Sequence, residues 1–472
     1  MTRWVSGIIT AFGDGMAEAP ALETSGGNES ELLYGLDDKP PFRETLFVAL
    51  QHVFAVFVGI ITPPLIICNA LKLDRQNTIF LVSMSLFVSG LATLLQSRGI
   101  GPIGSRLLSI QGTSFVFLGP IISTAGLSLS AGATPRTALG IIFGLCLAGS
   151  LVAIAMSQCI RLASRIITPL VTGTVVTLIG LTLIEVGITT MGGGFDAKRD
   201  GSFGSPVNLA LSGIVLTTIV ILNCSRNPQL RMTSVVIGLA AGYLAAFLLG
   251  KVDLHGLREL PLVTIPFPLH YGLGFNAGAI IPFAFLYLIT VIESVGDLTA
   301  TSSLTNQPIT GNLYFRRLRS GILADGINSL LAAVFNSFPS TTFAQNNGVI
   351  QLTGVGSRYV GTFIAVILMV LGLFPAVGGL VQALPQAVLG GATIVMFGTV
   401  AVAGIKILSG VRMNRRSSLI IAVSIGLGLG VTFAPDILRF LPELLRHTLS
   451  SGIATGGMCA LLLNTVLPGD RH

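Results

Sequence analysis

The sequence predicts an all-α polytopic membrane protein with fourteen transmembrane segments in two inverted halves of seven. Three observations predict it: a composition that only lipid can solvate, fourteen apolar runs divided evenly by a polar stretch, and polar interruptions at matching places in the two halves. Of 472 residues, 51% are hydrophobic and 10% are charged, with a mean hydropathy of +0.83. Soluble domains carry about 25% charged residues. Such a chain cannot cover itself with polar surface. Its net charge of +7 therefore reflects the Lys and Arg bias of cytoplasmic loops and is no sign of a nucleic-acid partner.

The first 45 residues hold eight acidic residues against three basic ones and read as a cytoplasmic tail. "WVSGIITAF" followed by "AEA" has the outline of a signal peptide, but the apolar stretch is short and broken by Gly7. "LDDKPPF" (36–42) then leads into the membrane, its prolines marking the boundary.

A span takes about 20 apolar residues, and fewer where a helix is broken inside protein. Runs fall near 46–66, 78–97, 107–126, 137–157, 166–187, 207–223 and 233–250. A second set lies near 278–301, 320–336, 340–354, 359–375, 386–405, 417–434 and 451–467. The polar stretch 251–276 separates them. With the amino terminus inside, roughly two thirds of the 27 Lys and Arg residues lie on cytoplasmic segments, notably "YFRRLRSG" (314–321) and "KILSGVRMNRR" (406–416). Both termini are then cytoplasmic.

Seven spans per half force the second half to enter the membrane inverted, an arrangement typical of transporters with interrupted helices. The third run contains "SIQGTSFVF" (109–117), and the tenth contains "STTFAQNNGVIQLTG" (340–354). Polar groups and non-helical backbone survive at membrane depth only against protein or a watery cavity. Pro339 and the following "STT" favour extended backbone, so short strands are expected in the third and tenth spans. "AQNNGVI" can begin a half-helix whose free N–H groups point into the protein, and two such starts meeting near the midplane would frame a polar pocket. The fifth and twelfth runs, with "TPLVTG" (168–173) and "LPQAVLGG" (384–391), also correspond.

Three acidic residues lie well inside these runs: Glu293, Asp297 and Asp325; Glu185 sits near an outer end. Intramembrane carboxylates cost roughly 2.5–3.5 kcal/mol each on insertion scales and point to function. Glu293 and Asp297 are four apart and share a helix face. In a low dielectric each opposes the other's ionisation, which makes one a candidate proton carrier. His52, the histidine inside a span, reads as a structural hydrogen bonder, with no neighbouring His or Cys to complete a metal site. The five cysteines lie in or beside apolar runs and show no CxxC spacing, so they read as small buried residues. Gln345, Asn346 and Asn347 offer amide donors and acceptors suited to an uncharged ligand such as a nucleobase edge. Phe115 offers a flat face for stacking.

"QNNGVIQLTG" (345–354) fits a decapeptide pattern: Gln, Glu or Pro; Asn; any residue; Gly; any four; Thr; then Arg, Lys or Gly. With "LQHV" (50–53), "SIQGTSF" (109–115) and "ESVGDLTATS" (293–302), it resembles the nucleobase–ascorbate transporters, also called nucleobase–cation symporters, and among them the bacterial xanthine permeases. The likeness runs from about residue 31 to 468. It implies a core domain of spans 1–4 (46–157) and 8–11 (278–375), and a gate domain of spans 5–7 (158–250) and 12–14 (376–468). Residues 251–277 would be an extracytoplasmic connector. It also implies homodimers joined through the gates, elevator-like movement of the core, and purine uptake coupled to protons across a bacterial inner membrane, with no cofactor. By the same resemblance Glu293 and Gln345 bind the base, Phe115 stacks beside it, and Ser114 and Asn346 contact it. Asp325 and Asp297 would serve proton coupling, and His52, Asn347, Gly348 and Thr353 would shape the pocket.

Xanthine is the expected substrate. Ser114 occupies a position where side-chain size varies among such permeases, and a small residue there would admit an oxygen at purine C8. Uric acid is therefore the alternative or second substrate. An anion transporter of similar fold is disfavoured because Glu293 would repel a small anion. A membrane enzyme would need a nucleophile–base pair or a metal cluster, and the runs offer neither.

Overall fold

The computed structural model describes residues 32–163, 166–252, 260–441, 446, 449 and 451–468. The first half begins with α1 (Phe42–Ala70) and α2 (Arg75–Arg98). A three-residue strand, β1 (Gln111–Thr113), follows, with a 3-10 turn at Phe115–Phe117 leading into α3 (Leu118–Ser130). Then come α4 (Pro135–Ala163), α5 (Pro169–Met191), a short α6 (Gly194–Asp200), α7 (Pro206–Asn223) and α8 (Pro228–Leu248). The second half holds α9 (Ala277–Leu304), α10 (Gly311–Val334), β2 (Ser340–Thr342), α11 (Gln345–Thr353) and α12 (Arg358–Leu373). It closes with α13 (Pro375–Gln382), α14 (Gln386–Ser409), α15 (Arg415–Phe433) and α16 (Gly452–Val466). Among the described residues, eight helices are long and apolar enough to cross a membrane, or nine if α12 and α13, bent by 76°, count as one broken span.

Proline placement explains several helix starts. Pro169 and Pro206 occupy first-turn positions, where a missing N–H costs nothing, and Thr168 and Ser205 cap those ends by accepting from Val171 N and Asn208 N. Outer helices keep apolar faces uncovered: in their most apolar windows α7 buries 22% and α15 28%, against 72% for α1, α2 and α5. Lipid is the natural solvent for the exposed faces.

The helices pair across the halves in a regular way. α2 packs on α12 and α4 on α10; α5 packs on α14; α7 pairs with α8 and α15 with α16. β1 pairs with β2, antiparallel, in the register Gln111↔Thr342, Gly112↔Thr341 and Thr113↔Ser340. Exchanging the halves run for run maps this set of pairings onto itself. Small residues permit the α5–α14 approach: a Cβ on Gly404 would lie 2.2 Å from Thr177 N.

Three features differ from a simple hydropathy reading. Residues before α1 are not all loose tail, because Leu33 N donates to Gly354 O (2.8 Å) and Arg358 N to Leu36 O (3.0 Å). α10 starts at Gly311, a full two turns before its apolar run, and so carries the arginines of "YFRRLRSG" on helix. The described part of the connector packs rather than floats, with Leu269 N donating to Val334 O (2.7 Å) and Gly274 N to Gly140 O (2.8 Å).

Candidate functional site

The site forms where the two chain breaks meet. The strand pair extends at both ends: Ser114 N donates to Pro339 O (2.7 Å), and Phe343 N donates to Ile110 O (3.0 Å). Immediately beyond, the 3-10 turn starts after Ser114 and α11 starts after Ala344, and neither start has a side-chain cap. Helix starts leave N–H groups unsatisfied and carry partial positive charge. The buried strand pair joins the two uncapped starts; at α11 the N–H groups of Asn346 and Asn347 already donate to Phe343 O (3.1 Å) and Ala344 O (3.0 Å).

The strand pair is held tightly. Gly112 and Gly59 flank the Phe343 ring: a Cβ on either would come within 2.4 Å and 2.6 Å of its atoms. Phe343 in turn stacks on Phe115 at 6.3 Å between centroids and 20° between planes, and Phe397 meets Phe115 edge-on at 5.2 Å. Phe115 also lines a cavity of about 320 Å³ between α3, α5, α9 and the α15–α16 pair, with Glu185 on another wall.

α9 brings carboxylates to the strands. Thr342 Oγ1 donates to Asp297 Oδ2 at 2.9 Å. One turn away, Oε2 of Glu293 is buried and has no hydrogen-bond partner. The Thr341 hydroxyl lies beside this carboxyl group, yet Thr341 Oγ1 closes no hydrogen bond. The hydroxyls of Thr113 and Ser114 and Nε2 of Gln111 are likewise buried without partners. The Gln345 side chain forms no hydrogen bond with any described residue and is half-buried at the start of α11. Buried polar groups are normally satisfied. These open groups lie along the strand pair and at the starts that follow it, with Thr341 beside Glu293 and Gln111 beside Asp325.

Asp325 stands one shell away. Its Oδ2 accepts from Ser294 Oγ, next in sequence to Glu293, and its Oδ1 accepts from Gln96 Nε2 at 3.0 Å. Among the described residues no Lys, Arg or His forms an ion pair with Glu293, Asp297 or Asp325. His52 is fully buried beside Asn346, and neither imidazole nitrogen nor Asn346 Oδ1 completes a hydrogen bond. Asn346 Nδ2 anchors α11 on Leu108 O at 2.6 Å. Asn347 accepts from Thr301 Oγ1 at 2.6 Å, tying α11 to α9. Gly348 is exposed, and Thr353 bonds only locally, to Val349 O and from Val355 N. Among the described residues no group of three His, Cys, Asp or Glu side chains could hold a metal ion.

The geometry thus gathers Ser114, Phe115, Glu293, Asp297, Gln345 and Asn346 around the strand pair, with His52, Asn347 and Asp325 behind them. Gln96, Ser294, Thr341 and Phe343 join them without having been singled out from the sequence. Gln96 ends an apolar run, and a glutamine at that depth is the one available signal for it.

Residues 43–437 match the family model described as a permease family. The chain is 51% identical over 444 residues to the xanthine permease XanP of Escherichia coli (strain K12), covering 94% of this chain and 96% of that one. The chain belongs to the nucleobase–ascorbate transporter family. This permease is also 45% identical to the xanthine permease XanQ of the same organism over 440 residues (93% of this chain, 94% of XanQ). It is 35% identical to the xanthine permease of Bacillus subtilis (strain 168) over 427 residues (90% and 94%). These relatives are transporters, and the permease is a multi-pass membrane protein. Its fold is similar to the transmembrane domain of the cyanobacterial bicarbonate transporter BicA, with a TM-score of 0.57 and 16% identity over 87% of this chain and 99% of that one. Murine Slc26a9, an anion transporter, gives a TM-score of 0.60 at 13% identity, covering 97% and 74%.

Proposed function

We propose that this permease imports xanthine together with a proton across the bacterial inner membrane. The observation that carries this reading is the unpartnered, buried Oε2 of Glu293 beside two uncapped half-helix starts. A neutral, planar heterocycle with N–H donors and carbonyl acceptors satisfies both at once: its N–H donates to the carboxylate, and its carbonyl accepts from backbone or Gln345 amide N–H groups. Phe115 supplies the stacking face. The names of XanP, XanQ and the Bacillus subtilis permease support xanthine as that heterocycle.

The bicarbonate and Slc26a9 transporters share the fold alone. An acidic acceptor in the pocket favours a nucleobase over a small anion. Uric acid is the second substrate, because the buried Ser114 hydroxyl has no partner and can donate to an oxygen at C8.

Proton exchange falls to Asp325 or Asp297, buried acids without a basic partner. In this reading fourteen spans form two inverted repeats, a description supported by pairings that survive exchange of the halves. Spans 1–4 and 8–11 form the moving core, the remaining spans form the gate through which two copies dimerise, and both termini are cytoplasmic. Glu293→Ala tests the site. Losing a hydrogen bond to a charged partner costs about 1.5–3 kcal/mol, so xanthine affinity falls more than tenfold while the protein still reaches the membrane. Unchanged affinity would remove Glu293 from the site.

A further inference from the structure

A second cavity, of about 670 Å³, lies away from the strand pair, between the 99–106 loop and the start of α10. Its walls carry Arg106, Arg316, Arg317, Arg319 and Arg358 against a single carboxylate, Asp37. Asp37 is already taken by Arg358, at 2.6 Å. Arg319 donates to Gln158, and Arg106 donates to Gly101 O at 3.3 Å. Arg316 and Arg317 form no hydrogen bond or ion pair among the described residues, and Nη1 of Arg317 is buried without a partner.

The cavity is built on anchored backbone. Gly104 N donates to Ser320 O (2.9 Å), and Arg106 N donates to Gln96 O (3.0 Å), which ties the loop to α10 and α2. Arg106, Arg316 and Arg319 are exposed and Arg317 and Arg358 half-buried. The five guanidinium groups form a cluster open to solvent, whose charge one carboxylate does not neutralise, and together they attract an anion. Guanidinium forks match the oxygens of phosphate and carboxylate alike, and the tetrahedral oxygens of a phosphate point in enough directions to engage several forks at once.

We propose that this cavity binds a phosphate-bearing anion, on the face that the distribution of Lys and Arg assigns to the cytoplasm. Two sources offer that chemistry: the headgroup of an anionic lipid in the adjoining leaflet, and a free phosphate compound. The proposal is independent of the purine site.

The test is thermal unfolding of the full purified chain in an uncharged detergent. Inorganic phosphate and dioleoylphosphatidylglycerol are titrated separately, with chloride at matched ionic strength and dioleoylphosphatidylcholine as controls. A saturable rise in Tm beyond the controls is expected for one probe. Inorganic phosphate producing it identifies a free phosphate ligand; phosphatidylglycerol alone producing it identifies a lipid headgroup. In the double variant Arg316→Gln/Arg317→Gln the apparent affinity falls at least about tenfold. Asp37→Asn, which removes the competing carboxylate, raises it, and this variant decides the matter if the double variant does not fold. No saturable rise with either probe overturns the proposal. So does a rise that the arginine substitutions leave unchanged, or one that Asp37→Asn leaves unchanged or weakens.

Discussion

At Ser114, a side chain with one hydroxyl and little bulk is buried beside β1 without a hydrogen-bond partner. Xanthine and uric acid differ at C8, where uric acid carries an additional oxygen. Discrimination then rests on a clash or on an unpaired polar group. Uric acid should therefore compete with xanthine uptake, more weakly than xanthine itself, and Ser114→Asn should abolish that competition. Excess uric acid failing to compete in the unsubstituted protein would make the pocket specific for xanthine. Asp325 poses a different question, because its two oxygens are already held by Ser294 and Gln96. Asp325→Asn should retain xanthine binding but lose accumulation driven by an imposed pH gradient. Full accumulation would assign the proton to Asp297 or Glu293.

The carboxylates were legible in the sequence because an acid inside an apolar run has a cost that demands a reason. Hydroxyls and amides were not. Most Ser and Thr groups in these helices bond their own backbone, as Ser85 does to Leu81 O and Thr177 to Gly173 O. Only the fold distinguishes these from Ser294 and Thr342, whose hydroxyls reach another element.

Among elements, the strand pair sets the position of both half-helices, and Gly112 is where it is most vulnerable. A Cβ there would come 2.4 Å from Cζ of Phe343, a ring already confined by Gly59 and stacked on Phe115. Gly112→Ala should displace the strands and half-helix starts, costing xanthine affinity at least about tenfold while long-helix packing holds. Wild-type affinity in that variant would show that the ring can move aside and that the strand pair does not determine the site. The sequence announced this region through polar residues at depth and through Pro339. The register of β1 on β2 depends on two segments more than two hundred residues apart, and no local pattern encodes it. The bend between α12 and α13 and the short α6 escaped for a related reason: hydropathy records how apolar a run is, not where its axis turns.

Over the whole molecule, the apolar composition was the most legible feature, since it follows from what lipid can solvate. The packing of the described part of the connector and of residues 33–36 was not, because polar segments outside the membrane look alike whether they float or dock. The pairing of helices across the halves places two helix starts, one open carboxyl oxygen and a stacked phenylalanine in one spot, and the account stands on that spot recognising a purine rather than an anion. Competition of labelled xanthine uptake by unlabelled xanthine, other purines and sulfate, in cells producing this chain, tests it most directly. The account predicts uptake above the background of cells lacking the chain, suppressed by excess xanthine and unaffected by sulfate. Uptake that sulfate suppresses and xanthine does not, or no uptake from correctly inserted protein, would contradict it.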